Sequence, residues 1–126
     1  MVARVRTVLS WVCCLASLSS CGFEPACRNE ILKKSLSPNG KLVALVFSRN
    51  CGATTGSNFQ ISVADKFDIP DDVGNVLIAD RTPIYSNEFD PAWDSEDHLT
   101  VFIPKNSRIF FQDSYVSGTY IKFKYK

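Results

Sequence analysis

The sequence predicts a small, mostly β domain whose antiparallel strands pack in a sandwich-like arrangement. Short runs of strand-forming residues recur along the chain, and turn-forming residues separate them. No window of ten or more residues shows a helical period, and residues 65–75 hold at most one short turn of helix. The predicted strands are 30–35, 42–49, 58–64, 76–79, 99–103, 108–112 and 118–125.

The first hairpin is predicted by the turn sequence Ser37-Pro38-Asn39-Gly40-Lys41. Proline presets φ at the second turn position and glycine accepts positive φ, so the sequence favours a type I turn followed by a bulge. The next strand is apolar on both faces over residues 42–47, which predicts a central position in its sheet. A similar hairpin is expected at residues 95–103, where the same pattern returns after a tryptophan.

The last strand alternates strictly between apolar and basic residues. Ile121, Phe123 and Tyr125 share one face, which we expect to face the core, and lysines occupy the other face. Lysines on a terminal strand also discourage edge-to-edge pairing with other chains.

The N-terminal segment predicts export. Two arginines precede an apolar run at residues 8–18, which is too short to cross a bilayer because a spanning helix needs about 20 residues. The run ends in Leu18-Ser19-Ser20-Cys21, which resembles the lipobox of bacterial lipoproteins. The resemblance implies that residues 1–20 are removed, that 21–29 form a lipidated tether and that 30–126 form the β-domain. The alternative is an ordinary secretory signal that leaves Cys21 unmodified.

The lipobox resemblance also implies a place in the bacterial cell envelope, with the membrane bound through acyl chains on Cys21. Several acyl chains anchor a protein stably, whereas one chain binds only marginally. Gly22, rather than an aspartate, follows the cysteine. This favours the periplasmic side of the outer membrane in a host with two membranes.

The charge balance argues against a nucleic-acid partner. Loss of residues 1–20 removes two of the 14 basic residues, which leaves 12 against 13 acidic residues, whereas a nucleic-acid binder is clearly basic. Ten of the acidic residues lie within 65–97. We interpret that stretch as solvated loops, with an acidic patch for a cation or a basic partner as the alternative. Its spacing does not match a calcium-binding loop, so neither a metal site nor a cofactor is predicted.

Two cysteines are predicted to form a disulfide. If Cys21 is acylated, Cys27 and Cys51 are the thiols that remain in an oxidising compartment, and only one intramolecular pairing is possible. The first hairpin doubles back between them, so the residue before its first strand and the residue after its second strand come close together. Closing this loop of about 25 residues stabilises the domain by about 3 kcal/mol in the chain-entropy estimate.

The NCGATTG segment, residues 50–56, has three interpretations. A cysteine nucleophile needs a neighbouring base, and the one histidine of the sequence, His98, lies in a charged turn. A phosphate-binding loop needs a lysine and a following helix, and the segment has neither. We therefore interpret it as a turn pinned by Cys51. The alternative is a rigid recognition loop, whose candidate residues are Gly52, Ala53, Thr54, Thr55 and Gly56.

Taken together, these motifs resemble a family of bacterial envelope lipoproteins that has no assigned activity. The shared motifs are the lipobox, the hairpin turn at residues 37–41, the C-G-A-T-T-G sequence at 51–56, a G-N-V-L-I-A-D strand at 74–80 and a tryptophan followed by an L-T strand at 93–100. The resemblance covers most of the chain after the lipobox. It implies a fold and a compartment, and it implies no activity.

These observations predict a non-catalytic, membrane-anchored lipoprotein that binds an envelope protein or a glycan. The alternative is an inhibitor or immunity-type lipoprotein that blocks a secreted enzyme such as a lysozyme. Such an inhibitor needs a loop that enters a catalytic cleft, and the NCGATTG segment and the acidic residues 90–97 are the candidates. An enzyme needs polar side chains that converge on a pocket, and no catalytic residue is predicted.

Overall fold

The computed structural model describes residues 27–52, 56–68, 71–80 and 89–126. Within these ranges the chain forms strands and no helix, which confirms the predicted mostly β class. The predicted signal segment and Cys21 lie outside the described residues. The strands are β1 (Arg28–Leu36), β2 (Leu42–Asn50), β3 (Ser57–Asp65), β4 (Leu77–Asp80), β5 (Asp90–Ser95), β6 (His98–Ile103), β7 (Ile109–Gln112), β8 (Tyr115–Val116) and β9 (Thr119–Tyr125).

The strands form two sheets that share one core. The first sheet has the order β1-β2-β3-β4-β7, and the second has the order β5-β6-β9-β8. The core contains buried residues from both, such as Val46 and Ile61 from the first sheet and Val101 and Ile121 from the second. The inner faces of the two sheets therefore pack against each other, and the predicted sandwich-like arrangement is confirmed.

The antiparallel pattern holds at every described strand pair except β6 and β9, which run parallel. Between these two strands the chain crosses to the first sheet, where it forms β7. It returns through β8 to the end of the second sheet at which β6 begins, so β9 enters in the same direction as β6. Parallel neighbours need a crossover of this kind.

β2 lies inside the first sheet, as predicted for a strand that is apolar on both faces. It pairs with β1 on one side and with β3 on the other. Ala44 and Val46 belong to the shared core, whereas Val43, Leu45 and Phe47 form a separate buried cluster. Because side chains alternate along a strand, this second cluster lies on the outer face of the sheet.

The first hairpin turn has the predicted geometry. Gly40 N donates to Ser37 O at 2.8 Å, and Ser37 N donates to Leu42 O at 2.9 Å. Gly40 has a φ of 69°, the left-handed conformation expected after a type I turn. The side-chain oxygen of Asn39 accepts from the Ser37 hydroxyl at 2.8 Å and from Lys41 N at 3.1 Å, which stabilises the turn locally.

Residues 71–76 pass close to β3 before β4 begins. Gly74 N donates to the side chain of Gln60 at 2.6 Å. A Cβ on Gly74 would lie 2.9 Å from Gln60 Cβ, so only glycine fits this close approach. The Asn75 side chain bonds both the N–H and the C=O of Val63 at 2.9 Å, as a neighbouring strand would. β4 consequently starts one residue later than predicted.

The acidic residues 90–97 belong to a second hairpin. β5 occupies residues 90–95, a two-residue turn follows, and β6 returns antiparallel to β5. The hairpin predicted near residues 95–103 is present, but its first strand starts earlier than the sequence pattern indicated. The interpretation of residues 90–95 as a solvated loop, or as a loop that enters a cleft, is therefore wrong. A polar strand containing Pro91 fits at a sheet edge, and β5 is an edge strand.

β9 has the predicted alternation at Ile121, which is buried, and at Phe123, which packs against the core. The prediction that Tyr125 faces the core is wrong, because Tyr125 is the last residue of the strand and is exposed. β8 pairs with only the first two residues of β9. Among the described strands, the rest of β9 therefore forms an edge, where its lysines oppose pairing with another chain.

The strand directions define two ends of the sandwich. We call the end that holds Cys27 and Cys51 the disulfide end, and the end that holds the turn at residues 37–41 the turn end. β1 runs from the disulfide end to the turn end, and β2 returns. β7 also runs toward the turn end because it is antiparallel to β4, which is itself antiparallel to β3. β8 and the first residues of β9 follow β7 there.

Contacts between the sheets place the second hairpin at the turn end as well. Lys33 pairs with Asp90, and two residues further along β1 the carbonyl oxygen of Ser35 accepts from Trp93 Nε1 at 2.9 Å. β5 therefore lies against β1 and follows its direction. The turn at residues 96–97, which comes directly after β5, lies at the turn end.

Candidate functional site

The predicted disulfide between Cys27 and Cys51 is present. Arg28 pairs with Asn50 at the end of the β1–β2 ladder, and the cysteines follow at the next position, with Cα atoms 4.0 Å apart. The bond bridges a sequence separation of 24, which corresponds to about 3 kcal/mol of stabilisation in the chain-entropy estimate. It also removes Cys51 as a nucleophile, because the thiolate is the reactive form.

The NCGATTG segment leaves the disulfide through unusual backbone conformations. Gly52 and Gly56 have φ values of 126° and 67°, which side-chain-bearing residues rarely adopt. Asn50 Oδ1 accepts from Gly52 N at 2.9 Å, a local bond typical of a tight turn. Ala53, Thr54 and Thr55 lie outside the described residues, so the recognition loop stays a prediction. Cys51, near the start of the segment, lies at the disulfide end.

A groove of about 540 Å³ opens at the turn end of the second sheet. Pockets that bind small ligands occupy roughly 300–1,000 Å³, so this volume is large enough for a ligand. β5, β6, β9 and the residue before β8 form its walls. The lining residues are Asp94, Ser95, His98, Leu99, Ser114, Tyr120, Ile121 and Lys122.

Two tyrosines meet beside the groove because a tight turn pairs their strands. Ser117 and Gly118 have φ values of 52° and 75°, which are typical of a two-residue type I′ turn. This turn sets Tyr115 opposite Tyr120 in the β8–β9 ladder. The ring centroids are 4.9 Å apart with an interplanar angle of 52°. Both tyrosines remain about half exposed, at 55% and 54%.

His98 extends this pair to a row of three rings. The parallel register of β6 and β9 sets His98 opposite Tyr120, and their ring centroids are 5.3 Å apart with 28° between the planes. Tyr120 is therefore the middle ring, and we call the rings of Tyr115, Tyr120 and His98 the aromatic row. Exposed rings with polar tips suit a ligand that has apolar faces and polar edges.

Ser95, Asp97 and His98 form a hydrogen-bonded cluster at the β5–β6 turn. Asp97 Oδ1 lies 2.8 Å from His98 Nδ1 and accepts from Ser95 Oγ at 3.0 Å. Two hydrogen bonds hold the pKa of the Asp97 carboxyl below its usual value, and the bond to His98 contributes more than the bond to Ser95.

The cluster does not have the geometry of a catalytic triad. In a triad the acid and the nucleophile contact opposite nitrogens of the histidine ring. Here Ser95 Oγ lies 3.2 Å from His98 Nδ1, the same nitrogen that contacts Asp97. The contacts orient the His98 ring within the aromatic row and do not prepare Ser95 for attack on a substrate.

Asp94 and Lys122 bring charge of both signs to the groove. Asp94 is the extra residue of a bulge between Trp93 and Ser95, and bulges often redirect a side chain near a functional site. Its carboxylate accepts from Thr100 Oγ1 at 2.5 Å. Lys122 stands opposite Thr100 in the neighbouring strand and is exposed.

The part of the chain that the structure describes contains no group of three or more His, Cys, Asp or Glu side chains placed to hold a metal ion. None of its segments is a helix of the length and apolar character that a membrane crossing requires.

His98 was predicted to lie in a charged turn, whereas it is the first residue of β6, and the aromatic row was not predicted. Ser117-Gly118 is a dipeptide that favours a tight turn. A hairpin at this dipeptide would pair Tyr115 with Tyr120, so the sequence could have predicted that these two rings meet. The stack of His98 on Tyr120 had no local signal, because it depends on the parallel pairing of two strands that are distant in sequence.

Comparisons of this chain with protein-family models, with curated proteins and with solved structures found no match.

Proposed function

We propose that this protein is a membrane-anchored lipoprotein of the bacterial envelope, and that its β-domain is a non-catalytic binding module. Its binding surface is the groove beside the aromatic row. The exposed row carries this proposal, because three rings are positioned by strand pairing rather than left to rotate in solvent. Tyrosine is favoured in binding surfaces since it offers a large contact area at a small cost in conformational entropy.

The membrane anchor is supported by the lipobox-like sequence at residues 18–21 and by the disulfide. Disulfides persist in oxidising compartments such as the bacterial periplasm. Cys21 precedes Cys27 by six residues, which span at most about 20 Å when fully extended. Acyl chains on Cys21 would therefore hold the disulfide end close to the membrane surface.

Anchoring through Cys21 would orient the domain relative to the membrane. The disulfide end faces the membrane, and the turn end faces away from it. β1 joins the two ends with nine residues, which span about 30 Å at the rise of a β-strand. The aromatic row is thus displayed on the order of 30 Å beyond the disulfide, where it is accessible to components that do not belong to the same membrane.

The geometry favours binding over catalysis. Cys51 is bonded to Cys27, and Ser95 meets His98 on the nitrogen that Asp97 already contacts. The groove residues offer stacking surfaces, hydrogen-bond acceptors and one cationic group, which are the components of a recognition site.

The alternative function, inhibition of a secreted enzyme, has weaker support. One of its candidate loops, residues 90–97, is mostly the strand β5. The other, the NCGATTG segment, is joined to Cys27 at the end of the domain that the tether holds next to the membrane. An inhibitor would have to use the turn end, where the described turns are short and a groove lies between them.

The anchor is tested by metabolic labelling with a palmitate analogue. The wild-type protein should be labelled, and Cys21→Ala should abolish the label. Labelling that persists in Cys21→Ala would contradict the anchor.

The binding surface is tested by a photo-crosslinking amino acid placed in the anchored protein. At position 120 it should capture an envelope component, whereas at position 125 it should not. Tyr125 is a matched control because it lies on the same strand and is 56% exposed, against 54% for Tyr120. Equal capture at both positions, or capture at neither, would exclude the groove as the binding surface.

A further inference from the structure

We infer that the groove binds a carboxylate-bearing glycan, and that this ligand is the cell-wall glycan of the envelope in which the protein is anchored. The inference rests on the proposed anchor and binding surface. It adds the chemical class of the partner and the direction from which that partner approaches.

The shape of the aromatic row suits a chain of sugars. A sugar ring presents an apolar C–H face and a rim of hydroxyl groups, which matches an exposed aromatic ring beside hydrogen-bonding side chains. The three rings follow one another at centroid distances of 4.9 and 5.3 Å. A polymer of sugar rings can use a row of this kind, whereas a single small ligand needs only one ring. Asp94 and Asp97 lie beside the row as acceptors for hydroxyl or amide N–H groups.

Basic side chains follow the groove along β9. Lys122 lines the groove and Lys124 lies on the same face of β9, because alternate residues of a strand share a face. Lys126 follows directly after β9, and its Nζ lies 4.8 Å from the centroid of the Phe102 ring, on the strand next to β9. The exposed acidic side chains of the β5–β6 turn lie at the ring end, and the lysines lie along the strand that leads away from it. The lysines therefore complement the carboxylates of a bound glycan, whereas the acidic side chains accept from its hydroxyl and amide groups.

The described part of this face offers little apolar surface to a protein partner. A stable protein interface covers about 800 Å² on each partner and has an apolar centre. Among the described residues of this face, the exposed large apolar side chains are the two tyrosines of the aromatic row. Exposed aliphatic residues such as Leu36 lie on the first sheet. A narrow ligand with polar edges fits the second sheet better than a broad apolar partner does.

The orientation of the domain selects the source of the glycan. The tether holds the disulfide end at the membrane, so the aromatic row faces outward into the envelope. In a bacterial envelope, the sugar polymer that lies beyond the membrane is the cell-wall glycan, and its carboxylates are on the peptides that are linked to alternate sugars.

The experiment uses the full mature, lipidated protein in detergent micelles and measures its co-sedimentation with purified cell-wall sacculi at low salt. The wild-type protein should sediment with the sacculi. Tyr120→Ala should weaken binding by about tenfold, as expected for the loss of a stacked ring. Tyr120→Phe keeps the ring and should stay within about twofold of wild type. Tyr125→Ala is the matched control and should bind as wild type.

A second pair of variants tests the contact between Lys122 and a carboxylate of the ligand. Lys122→Gln should weaken binding several-fold and reduce its dependence on salt, because one ion pair with the glycan is lost. Lys34→Gln also removes an exposed lysine, but from β1 in the first sheet, and it should change neither quantity. Equal effects of the two variants would overturn the proposed carboxylate contact.

Two polymers distinguish the cell-wall glycan from other acidic glycans. Removal of the peptides by an amidase leaves a free carboxylate on alternate sugars, so the stripped glycan strands should bind at least as tightly as intact sacculi. A polyuronate, which is acidic but has no amino sugars, should bind more weakly. Loss of binding on removal of the peptides would overturn the glycan as ligand. Equal binding of the polyuronate would overturn the cell wall as its particular source.

The outcomes also distinguish this inference from the proposed function. A protein crosslinked at position 120, with no sedimentation on sacculi, overturns the glycan and leaves the binding surface in place. Sedimentation that depends on Tyr120 in a protein that palmitate does not label supports glycan recognition and overturns the anchor. Absence of both sedimentation and crosslinking overturns both.

Discussion

The two ends of the sandwich differ in what holds their residues in place. At the disulfide end a covalent bond joins the first and last positions of a hairpin, and the glycines beside it have φ values of 126° and 67°. At the turn end the aromatic row is positioned by strand register, by ring contacts and by hydrogen bonds among exposed side chains. The disulfide restricts the conformations of the unfolded chain, whereas the contacts of the aromatic row position side chains on the surface of the folded protein.

This difference assigns separate tasks to the two ends. Substitutions at the disulfide end should change the free energy of unfolding and leave binding by the folded protein intact. Substitutions at the turn end should change binding or local ionisation, with a smaller effect on unfolding of at most about 1 kcal/mol. The contact between Trp93 and Ser35 lies near the turn end, but it joins the two sheets, so it should affect the whole domain.

The largest expected effect comes from loss of the disulfide. Cys51→Ala should lower the free energy of unfolding by about 2–4 kcal/mol, because the unfolded chain regains the entropy that the bond removed. Chemical denaturation of the purified protein measures this change. Reduction of the wild-type protein should reproduce it, and Tyr120→Ala, at the other end, should not. A Cys51→Ala protein as stable as wild type would contradict the structural role of the bond.

The second effect comes from the contact between the sheets. Trp93→Phe keeps an aromatic ring but removes the indole N–H that donates to Ser35 O at 2.9 Å. Since the carbonyl loses its partner in a partly buried site, the free energy of unfolding should fall by about 1–2 kcal/mol. Thermal and chemical denaturation should agree on the size of the loss. Unchanged stability would show that the packing of β5 against β1 does not depend on this bond.

Some parts of the fold could be predicted from the sequence because residues close together in the chain determine them. The turn at residues 37–41 needs a proline and a glycine at fixed positions, and both are visible in the sequence. The disulfide followed from that turn, because a hairpin of known length brings its own ends together. In each case a few adjacent residues carry the geometry.

Other parts could not be predicted because they depend on contacts between residues that are distant in the chain. β5 contains Asp90, Pro91 and Asp94, and such a strand forms only because β6 and the first sheet provide partners. His98 and Tyr120 come together through a parallel pairing that requires a crossover by way of the first sheet. The aromatic row therefore depends on topology, whereas the disulfide depends on one hairpin.

A smaller effect should come from the turn that pairs the two tyrosines. Gly118 has a φ of 75° and no neighbour within 4 Å of an added Cβ, so Gly118→Ala introduces backbone strain without a clash. The cost should be about 1 kcal/mol in stability. Gly118→Asn should cost less because asparagine tolerates the left-handed conformation.

The same variants test whether the turn positions the aromatic row. In Gly118→Ala the ring signals of Tyr115 and Tyr120 should change in NMR spectra, and binding at the groove should weaken with them. Gly118→Asn should keep both near the wild-type values. Ring signals that do not change in Gly118→Ala would mean that the β8–β9 turn does not control the tyrosine pair.

The smallest expected effect is electrostatic and confined to the turn end. The hydrogen bond from His98 holds the pKa of the Asp97 carboxyl below its usual value. Since the pKa of Asp97 is lower in the folded than in the unfolded protein, the interaction favours the folded state above about pH 4 and is lost as the pH falls through the folded value. Asp97 is exposed, so the effect on global stability should be too small to measure.

The ionisation of Asp97 itself is measurable by NMR titration of its side-chain carboxyl carbon. His98→Ala should raise the pKa of Asp97 toward the usual value, and Ser95→Ala should raise it less, because the bond to His98 is the larger cause. His98→Ala also removes one ring of the aromatic row and should weaken binding at the groove, whereas Ser95→Ala keeps all three rings. An Asp97 pKa that is the same in wild type and in His98→Ala would show that the cluster does not form in solution. The orientation of His98 would then rest on its stack with Tyr120 alone.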